Sequence, residues 1–183
     1  PYHRTPVFSD SIKYLEINPY WNVPHRLARR DLLPKQQKDP DYFYLHDFNI
    51  FLRGDDSGTP IDPYRINWDY ISASDFPFRL QQRPGEFNAL GRLKFMFPNP
   101  WNIYLHDTPD KALFDEAQRN FSSGCIRVEQ PLELAEFTLN RFDAKESIIS
   151  RIASGHNQGE KLKQPLPVYA VYFTVWPYDN EIR

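Results

Sequence analysis

The stretch from Asn102 to Glu129 reads NIYLHDTPDKALFDEAQRNFSSGCIRVE, and the interpretation of the whole chain depends on it. It contains Cys125, the only cysteine among the 183 residues. It also contains His106, which ends a short β-type run 19 residues before that cysteine (125 − 106). A thiol attacks a carbonyl group as the thiolate, and a histidine beside it is the usual proton acceptor. The pair therefore predicts a cysteine nucleophile served by a histidine base.

The residues before Cys125 predict a turn rather than a core segment. Ser122, Ser123 and Gly124 are turn formers, and the glycine allows the backbone to bend tightly. A nucleophile on such a turn has backbone N–H groups beside it that can hold a developing oxyanion. We therefore expect an oxyanion hole formed by the N–H groups of Ser123, Gly124 and Cys125. The alternative is a buried, inert cysteine, which is the commoner role of a single cysteine.

This pattern resembles the catalytic signature of the L,D-transpeptidases, the YkuD-type domain. The common form is His-Gly, about fifteen to twenty residues, and then Ser/Thr-His-Gly-Cys, an apolar residue and Arg or Asn, a spacing that suits a strand-end base facing a turn-borne nucleophile. Asp107 and Ser123 depart from it, because the common form has Gly and His there. His-Asp-Thr-Pro and Ser-Ser-Gly-Cys resemble the large periplasmic branch (YcbB type). The matching positions are His106, Ser122, Gly124, Cys125, Ile126 and Arg127.

The resemblance assigns roles to these residues. Cys125 is the expected nucleophile, and His106 the expected base and later acid. In the family a backbone carbonyl just after the histidine orients the imidazole, which here is the carbonyl of Asp107. The Asp107 side chain stays open as the alternative, because a carboxylate would stabilise imidazolium more strongly. Arg127 is expected to hold a substrate carboxylate or brace the catalytic loop, and a structural ion pair is equally open.

Three further residues are expected to contact substrate. Tyr104 precedes His106 by two residues, so strand alternation points both side chains to the same face. Trp101 begins the same run, although core packing explains it equally well. Ser122 lies at the turn before the nucleophile.

The resemblance also implies a reaction. The donor is a peptidoglycan tetrapeptide stem, cut between its third residue, a diamino acid, and the terminal D-Ala. The enzyme keeps the acyl group as a thioester, and the side-chain amine of another stem attacks it to give a 3→3 cross-link. Water as acceptor would make the domain an L,D-carboxypeptidase, and attachment of a lipoprotein is a further outcome. The resemblance implies β-lactams of the carbapenem type as covalent inhibitors and a bacterial periplasm or cell envelope as location.

Other functions remain open at the level of sequence. A papain-like cysteine peptidase places its cysteine before its histidine on a helix, the reverse of the order here. A non-catalytic glycan-binding module would use the aromatic residues, 16% of the chain, as sugar platforms. The five histidines show no paired ligand spacing, so we expect neither a metal nor a cofactor.

Composition limits the class of protein. A chain of 183 residues with 40% apolar and 25% charged residues fits one soluble domain with a real core. The net charge of −2 argues against nucleic acid as a partner. No run of eighteen apolar residues exists, so we expect no transmembrane segment in this fragment. Since Pro1 is not a native start, we expect a mature fragment or an excised domain.

We expect an α+β, mainly β, fold, because 17 prolines and many aromatic residues disfavour long helices and suit strands. The resemblance supplies the arrangement: a single catalytic domain over residues 1–183 built as a mixed β-sandwich with short helices and an inserted capping subdomain at about 25–78. Patterns predict strands at 12–18, 49–53, 78–82, 92–97, 101–106, 126–128 and 168–176, helices at 24–30, 42–47, 110–116, 144–153 and from 130, and a loop at 159–167.

Overall fold

A five-stranded sheet forms the framework around which the helices lie. The computed structural model describes residues 6–55, 57–172, 177–178 and 181–182. Its elements in chain order are β1 (Phe8–Ile17), β2 (Trp21–Asn22), α1 (His25–Leu27), α2 (Leu33–Lys38), α3 (Tyr42–Leu45), β3 (Phe48–Leu52), β4 (Phe78–Gln82), β5 (Leu93–Met96), β6 (Leu105–His106), β7 (Ile126–Arg127), α4 (Pro131–Leu139), α5 (Ala144–Ala153), β8 (Gln158–Ala170), β9 (Pro177–Tyr178) and β10 (Glu181–Ile182). A π-helical segment, Ala28–Leu32, and 3₁₀ turns at Pro63–Arg65, Trp68–Tyr70 and Lys111–Asp115 complete them.

The five strands lie in the order β7-β6-β5-β1-β8. β1 pairs antiparallel with β5 and β8, and β6 pairs antiparallel with β5. β6 and β7 are parallel, with Leu105 opposite Ile126 and His106 opposite Arg127. The long crossover that a parallel pair requires is supplied by the segment between His106 and Cys125.

One face of this sheet is buried against α4 and α5. Because successive strand residues point to opposite faces, Leu15 and Ile17 of β1 lie inward with Leu93 and Phe95 of β5. Each large apolar side chain so buried stabilises the fold by about 1.5–3 kcal/mol. The buried members of this first core are Ile12, Leu15, Ile17, Leu93, Phe95, Phe97, Ile103, Ala135, Leu139, Ala144, Ile148 and Leu162.

The opposite face, which we call the open face, carries polar residues in register. Glu16 lies opposite Lys94, and Lys94 lies opposite His106. His106 in turn lies opposite Arg127 on the parallel neighbour. Four strands thus contribute one row of ionisable side chains across the open face.

Residues 23–80 build a second core around a three-stranded sheet of order β2-β4-β3. Helical residues from 25 to 45 cover one side of that sheet. The buried members are Val23, Ala28, Leu32, Leu33, Phe43, Phe48, Ile50, Trp68, Phe76, Phe78 and Leu80. The two larger sheets give a sandwich-like arrangement, and the prediction of a mainly sheet-based α+β fold with short helices is confirmed.

The predicted loop at 159–167 is wrong, because those residues belong to β8, which pairs with β1 from Gln158 to Ala170. Pro165 and Pro167 suggested irregular structure, but β8 is an edge strand of the sheet, where a missing N–H costs little. A register shift between Ile12 and Tyr14 accommodates the irregular part of the pairing. Residues 173–176 of the predicted last strand lie outside the described residues.

Other boundaries also differ. The helix predicted to end at Arg30 continues as a π segment and α2 to Lys38, because Pro34 lies in the first turn of α2, where no N–H is needed. The strand predicted at 101–106 is reduced to β6, since Asn102 has a φ of 53° and turns the chain. Residues 111–115 form a 3₁₀ turn instead of an α-helix. The strand at 78–82 and the helix at 144–153 have the predicted bounds.

Candidate active site

Parallel pairing of β6 and β7 brings the predicted nucleophile and base to the same face. Ile126 N donates to Tyr104 O at 3.1 Å, and Val128 N donates to His106 O at 2.8 Å. In the pairing of these two strands, Cys125 therefore lies opposite Tyr104, and Arg127, two residues later, lies opposite His106. Because alternation runs through both strands, the side chains of Tyr104, His106, Cys125 and Arg127 share the open face.

The imidazole of His106 is held in one tautomer. Its Nδ1 lies 2.5 Å from the backbone carbonyl of Asp107, which can only accept, so Nδ1 carries the proton. Nε2 is then free to accept a proton. The structure thus places the carbonyl of Asp107, of the two groups proposed from the sequence, against the imidazole.

The carboxylate of Asp107 is used elsewhere. Its Oδ2 accepts from Arg92 N at 2.8 Å, and its Oδ1 lies 2.7 Å from Lys111 Nζ. Lys111 Nζ also donates to Glu129 O at 2.9 Å, so one ammonium joins the loop after the histidine to the strand after the cysteine. Gly91 lies directly against the carboxylate: a Cβ there would meet Asp107 Oδ2 at 2.3 Å.

Burial lowers the pKa of His106 to about 4, and the charges of Arg127 and Lys94 act in the same direction. The hydrogen bond to the Asp107 carbonyl opposes this shift without cancelling it. The side chain is only 6% exposed, so desolvation of the imidazolium is a strong effect. His106 is therefore a neutral proton acceptor near pH 7.

The thiol of Cys125 is half-buried and lies near the turn that precedes β6. Its Sγ lies 3.8 Å from Asn102 O. Burial raises the pKa of the Cys125 thiol, whereas the backbone and hydroxyl of Tyr104 and then the charge of Lys94 lower it. Burial also raises the pKa of Tyr104, so its hydroxyl keeps the proton and can donate to a thiolate.

The loop before Cys125 is organised by Ser122. Its Oγ donates to Cys125 O at 2.5 Å and accepts from Gly124 N at 3.2 Å. Gly124 has a φ of 136°, a conformation that favours glycine. Within the described residues, the N–H groups of Ser123 and Cys125 donate to no other protein group. These two donors, more than that of Gly124, are available to an oxyanion.

The remaining predicted contact residues lie around this centre. The ring of Tyr104 meets that of His106 edge-on, with centroids 5.9 Å apart. Trp101 packs on Phe8 with ring centroids 5.1 Å apart, and 51% of its surface remains exposed to solvent. The guanidinium of Arg127 has buried Nε and Nη1 atoms without a hydrogen-bond partner among the described residues.

Comparison with known proteins gives the family. The sequence matches the YkuD family, described as the L,D-transpeptidase catalytic domain, over residues 1–161. The chain belongs to this family. A protein of Haemophilus influenzae (strain ATCC 51907 / DSM 11121 / KW20 / Rd) named "Putative L,D-transpeptidase" is 38% identical over 180 residues, which are 98% of this chain and 36% of that relative. The chain therefore spans little more than a third of that relative.

Membership of the L,D-transpeptidase family makes two further observations relevant. No helix in the described part of the chain is long and apolar enough to cross a membrane. The same residues hold no group of three or more His, Cys, Asp or Glu side chains placed for a metal ion.

Sequence reasoning missed several residues that shape this L,D-transpeptidase site. Lys94 lies on the wet side of the alternating run Arg92 to Phe97, and that side proved to be the open face. Lys111 follows Asp107 by four residues, a spacing that favours an ion pair. The role of Gly91 had no signal, because it depends on a contact 16 residues away (107 − 91).

Proposed function

We propose that this domain is a peptidoglycan L,D-transpeptidase that forms 3→3 cross-links through a Cys125 thioacyl-enzyme. The observation that carries the proposal is the register of β6 and β7, which places Cys125 and His106 on the open face two residues apart in level. The family membership supports the reaction class. The orientation of His106 by Asp107 O supports the chemistry, as do the N–H groups of Ser123 and Cys125, which have no protein acceptor in the described part of the chain.

The first half-reaction uses these groups in order. His106 Nε2 takes the thiol proton, and the thiolate attacks the carbonyl carbon between the third stem residue and D-Ala. The N–H groups of Ser123 and Cys125 hold the oxyanion, and loss of one such donor typically costs about 3 kcal/mol of barrier. As the C–N bond breaks, His106 returns the proton to the leaving amine of D-Ala. The product is a thioester on Cys125.

The second half-reaction reverses the roles. The side-chain amine of another stem attacks the thioester carbon, and His106 accepts the proton that the amine loses. Collapse of the tetrahedral intermediate breaks the C–S bond, and the thiolate regains its proton from His106. With water in place of the amine, the same steps make an L,D-carboxypeptidase.

Arg127 is proposed to bind a carboxylate of the stem. Its Nε and Nη1 are buried without a protein acceptor in the described residues, which is costly unless a ligand completes them. It neighbours His106 in register, so a carboxylate bound there would lie next to the reacting bond. A bidentate guanidinium–carboxylate contact would fix the stem in one orientation.

Residues 25–78 are proposed to act as a capping subdomain for the stem. Support comes from the second hydrophobic core, which shares no buried member with the first core and takes all its buried members except Val23 and Leu80 from this range. Deleting residues 31–75 should then strongly reduce activity on sacculi and lower the unfolding temperature of the remaining sheet only slightly. Collapse of the whole domain on deletion would contradict the proposal.

The decisive experiment is digestion of purified sacculi, with muropeptide products read by mass. Both reactions release D-Ala, but cross-linking predicts new 3→3 dimers, whereas a carboxypeptidase yields trimmed tripeptides without new dimers. Intact-mass measurement after exposure to a carbapenem tests the nucleophile separately: an adduct on Cys125 is expected, and the Cys125→Ala variant is the control. No adduct and no new muropeptide would favour a non-catalytic glycan-binding module. Activity on sacculi would also support the proposed cell-envelope or periplasmic location.

A further inference from the structure

A half-buried ion pair on the open face has no part in the steps above. Lys94 Nζ lies 3.4 Å from Glu16 Oε2, and the two side chains are 14% and 24% exposed. Register pairing of β1 with β5 places them opposite each other in the same row as His106. Holding an ammonium and a carboxylate this far from water is costly and brings little net stability by itself. We therefore expect the ion pair of Lys94 and Glu16 to have a role other than stabilising the fold.

Lys94 also reaches toward the nucleophile. Its Nζ lies 4.3 Å from the centroid of the Tyr104 ring, a cation–π contact. Tyr104 lies level with Cys125 in the parallel pairing and meets His106 edge-on at 5.9 Å. The chain of contacts thus runs from Glu16 through Lys94 and Tyr104 to the thiol.

The thiolate needs positive charge nearby that a neutral histidine does not supply. His106 is buried between Lys94 and Arg127, its register partners on either side. The positive charges of Lys94 and Arg127 disfavour protonation of the imidazole, so a thiolate–imidazolium pair is not stable in the resting site. The same cations favour a negative charge on sulfur.

We propose that Lys94 is a positioning residue for the transpeptidase reaction: anchored by Glu16, it holds Tyr104 beside Cys125 and supplies the positive charge that stabilises the thiolate. This inference rests on the proposed function, in which Cys125 is the nucleophile. The other ionisable groups on the open face include Tyr14 and Glu16 on β1, Lys161 on β8, Tyr104 and His106 at β6, and Cys125 and Arg127 at β7. Of the lysines among them, Lys94 has the contact with Tyr104.

The test measures the rate of Cys125 alkylation by iodoacetamide against pH, which reports the thiolate without requiring any enzyme activity. Lys94→Met should raise the apparent pKa of alkylation by about one unit and slow the reaction at pH 7 about tenfold. Lys94→Arg should restore most of the rate, because it keeps the charge and the ring contact. Lys161→Met is the matched control, since this exposed lysine lies on the same face, and it should leave the profile unchanged.

Tyr104→Phe provides a second variant that keeps the ring on which Lys94 rests. It should also raise the alkylation pKa, because only the hydroxyl donor is lost. A wild-type profile for Lys94→Met, or equal shifts for Lys94→Met and Lys161→Met, would overturn the inference. If Lys94→Met unfolds, a wild-type profile for Tyr104→Phe would overturn it equally. Absence of sacculus activity in the wild-type domain, with thiol profiles that shift as expected, would count against the proposed function instead.

Discussion

Replacing Gly91 by alanine tests the link between the loop before β5 and the orientation of His106. A Cβ at this position would lie 2.3 Å from Asp107 Oδ2, so the carboxylate must move. Gly91 also has a φ of 61°, and alanine in that region costs about 1 kcal/mol. Displacing the carboxylate removes its charged hydrogen bond from Arg92 N, worth about 2–3 kcal/mol. The total is about 3–4 kcal/mol, which for a domain of this size lowers the unfolding temperature by about 10 °C.

The same variant should slow acylation. Asp107 supplies both the displaced carboxylate and the carbonyl that holds His106 Nδ1, so a shift of this residue changes the orientation of the imidazole. Misplacement by about 1 Å can cost about a hundredfold in rate, and we expect a loss of at least tenfold in carbapenem acylation followed by intact mass.

Gly155→Ala is the matched control for that experiment. Gly155 has a φ of 72°, but a Cβ there meets nothing within 4 Å. It should therefore show the backbone cost of about 1 kcal/mol alone, with normal acylation. If both glycine variants lose the same stability and acylate at the wild-type rate, the contact with Asp107 does not support the site and the reasoning fails.

Three further predictions concern the catalytic pair and its brace. Cys125→Ala should abolish acylation while shifting the unfolding temperature by only about 1–2 °C, and retained acylation would exclude this thiol as nucleophile. The pKa of His106 is lowered to about 4 from 6.5, so between these pH values the unfolded chain binds a proton at this residue and the folded domain does not. The free energy of unfolding should therefore decrease by up to about 3 kcal/mol as the pH drops from 6.5 to about 4. In urea unfolding, His106→Gln should make this decrease smaller. Lys111→Met should cost about 1 kcal/mol in urea unfolding and slow acylation, whereas Lys145→Met, which removes an exposed ion pair with Glu133, should cost about 0.3 kcal/mol or less and leave acylation unchanged.

The positions of the candidate nucleophile and candidate base on a shared face could be predicted from the sequence, because local chemistry marks them. Ser122 to Cys125 can only be a turn, and Tyr104 and His106 alternate in a strand. The strand at 78–82 and the helix at 144–153 were equally predictable, since each has a regular apolar pattern bounded by turn residues.

Features that depend on sheet position could not be predicted. Pro165 and Pro167 disfavour a strand in general, and only the edge location of β8 makes them acceptable. The importance of Lys94 arises from pairing between β5 and β6, and that of Gly91 from contact with Asp107. The alternation from Arg92 to Phe97 predicts the face on which Lys94 lies but not its partners, and no local pattern signals the contact of Gly91.

The desolvated surroundings of Cys125 have a consequence for the resistance of this thiol to oxidation. Oxidants attack the thiolate and not the thiol, so a cysteine whose pKa is raised by burial stays mostly in its inert form between encounters with substrate. Burial thus protects the thiol that the proposed reaction requires, and Cys125 should be oxidised more slowly than a free cysteine at the same pH.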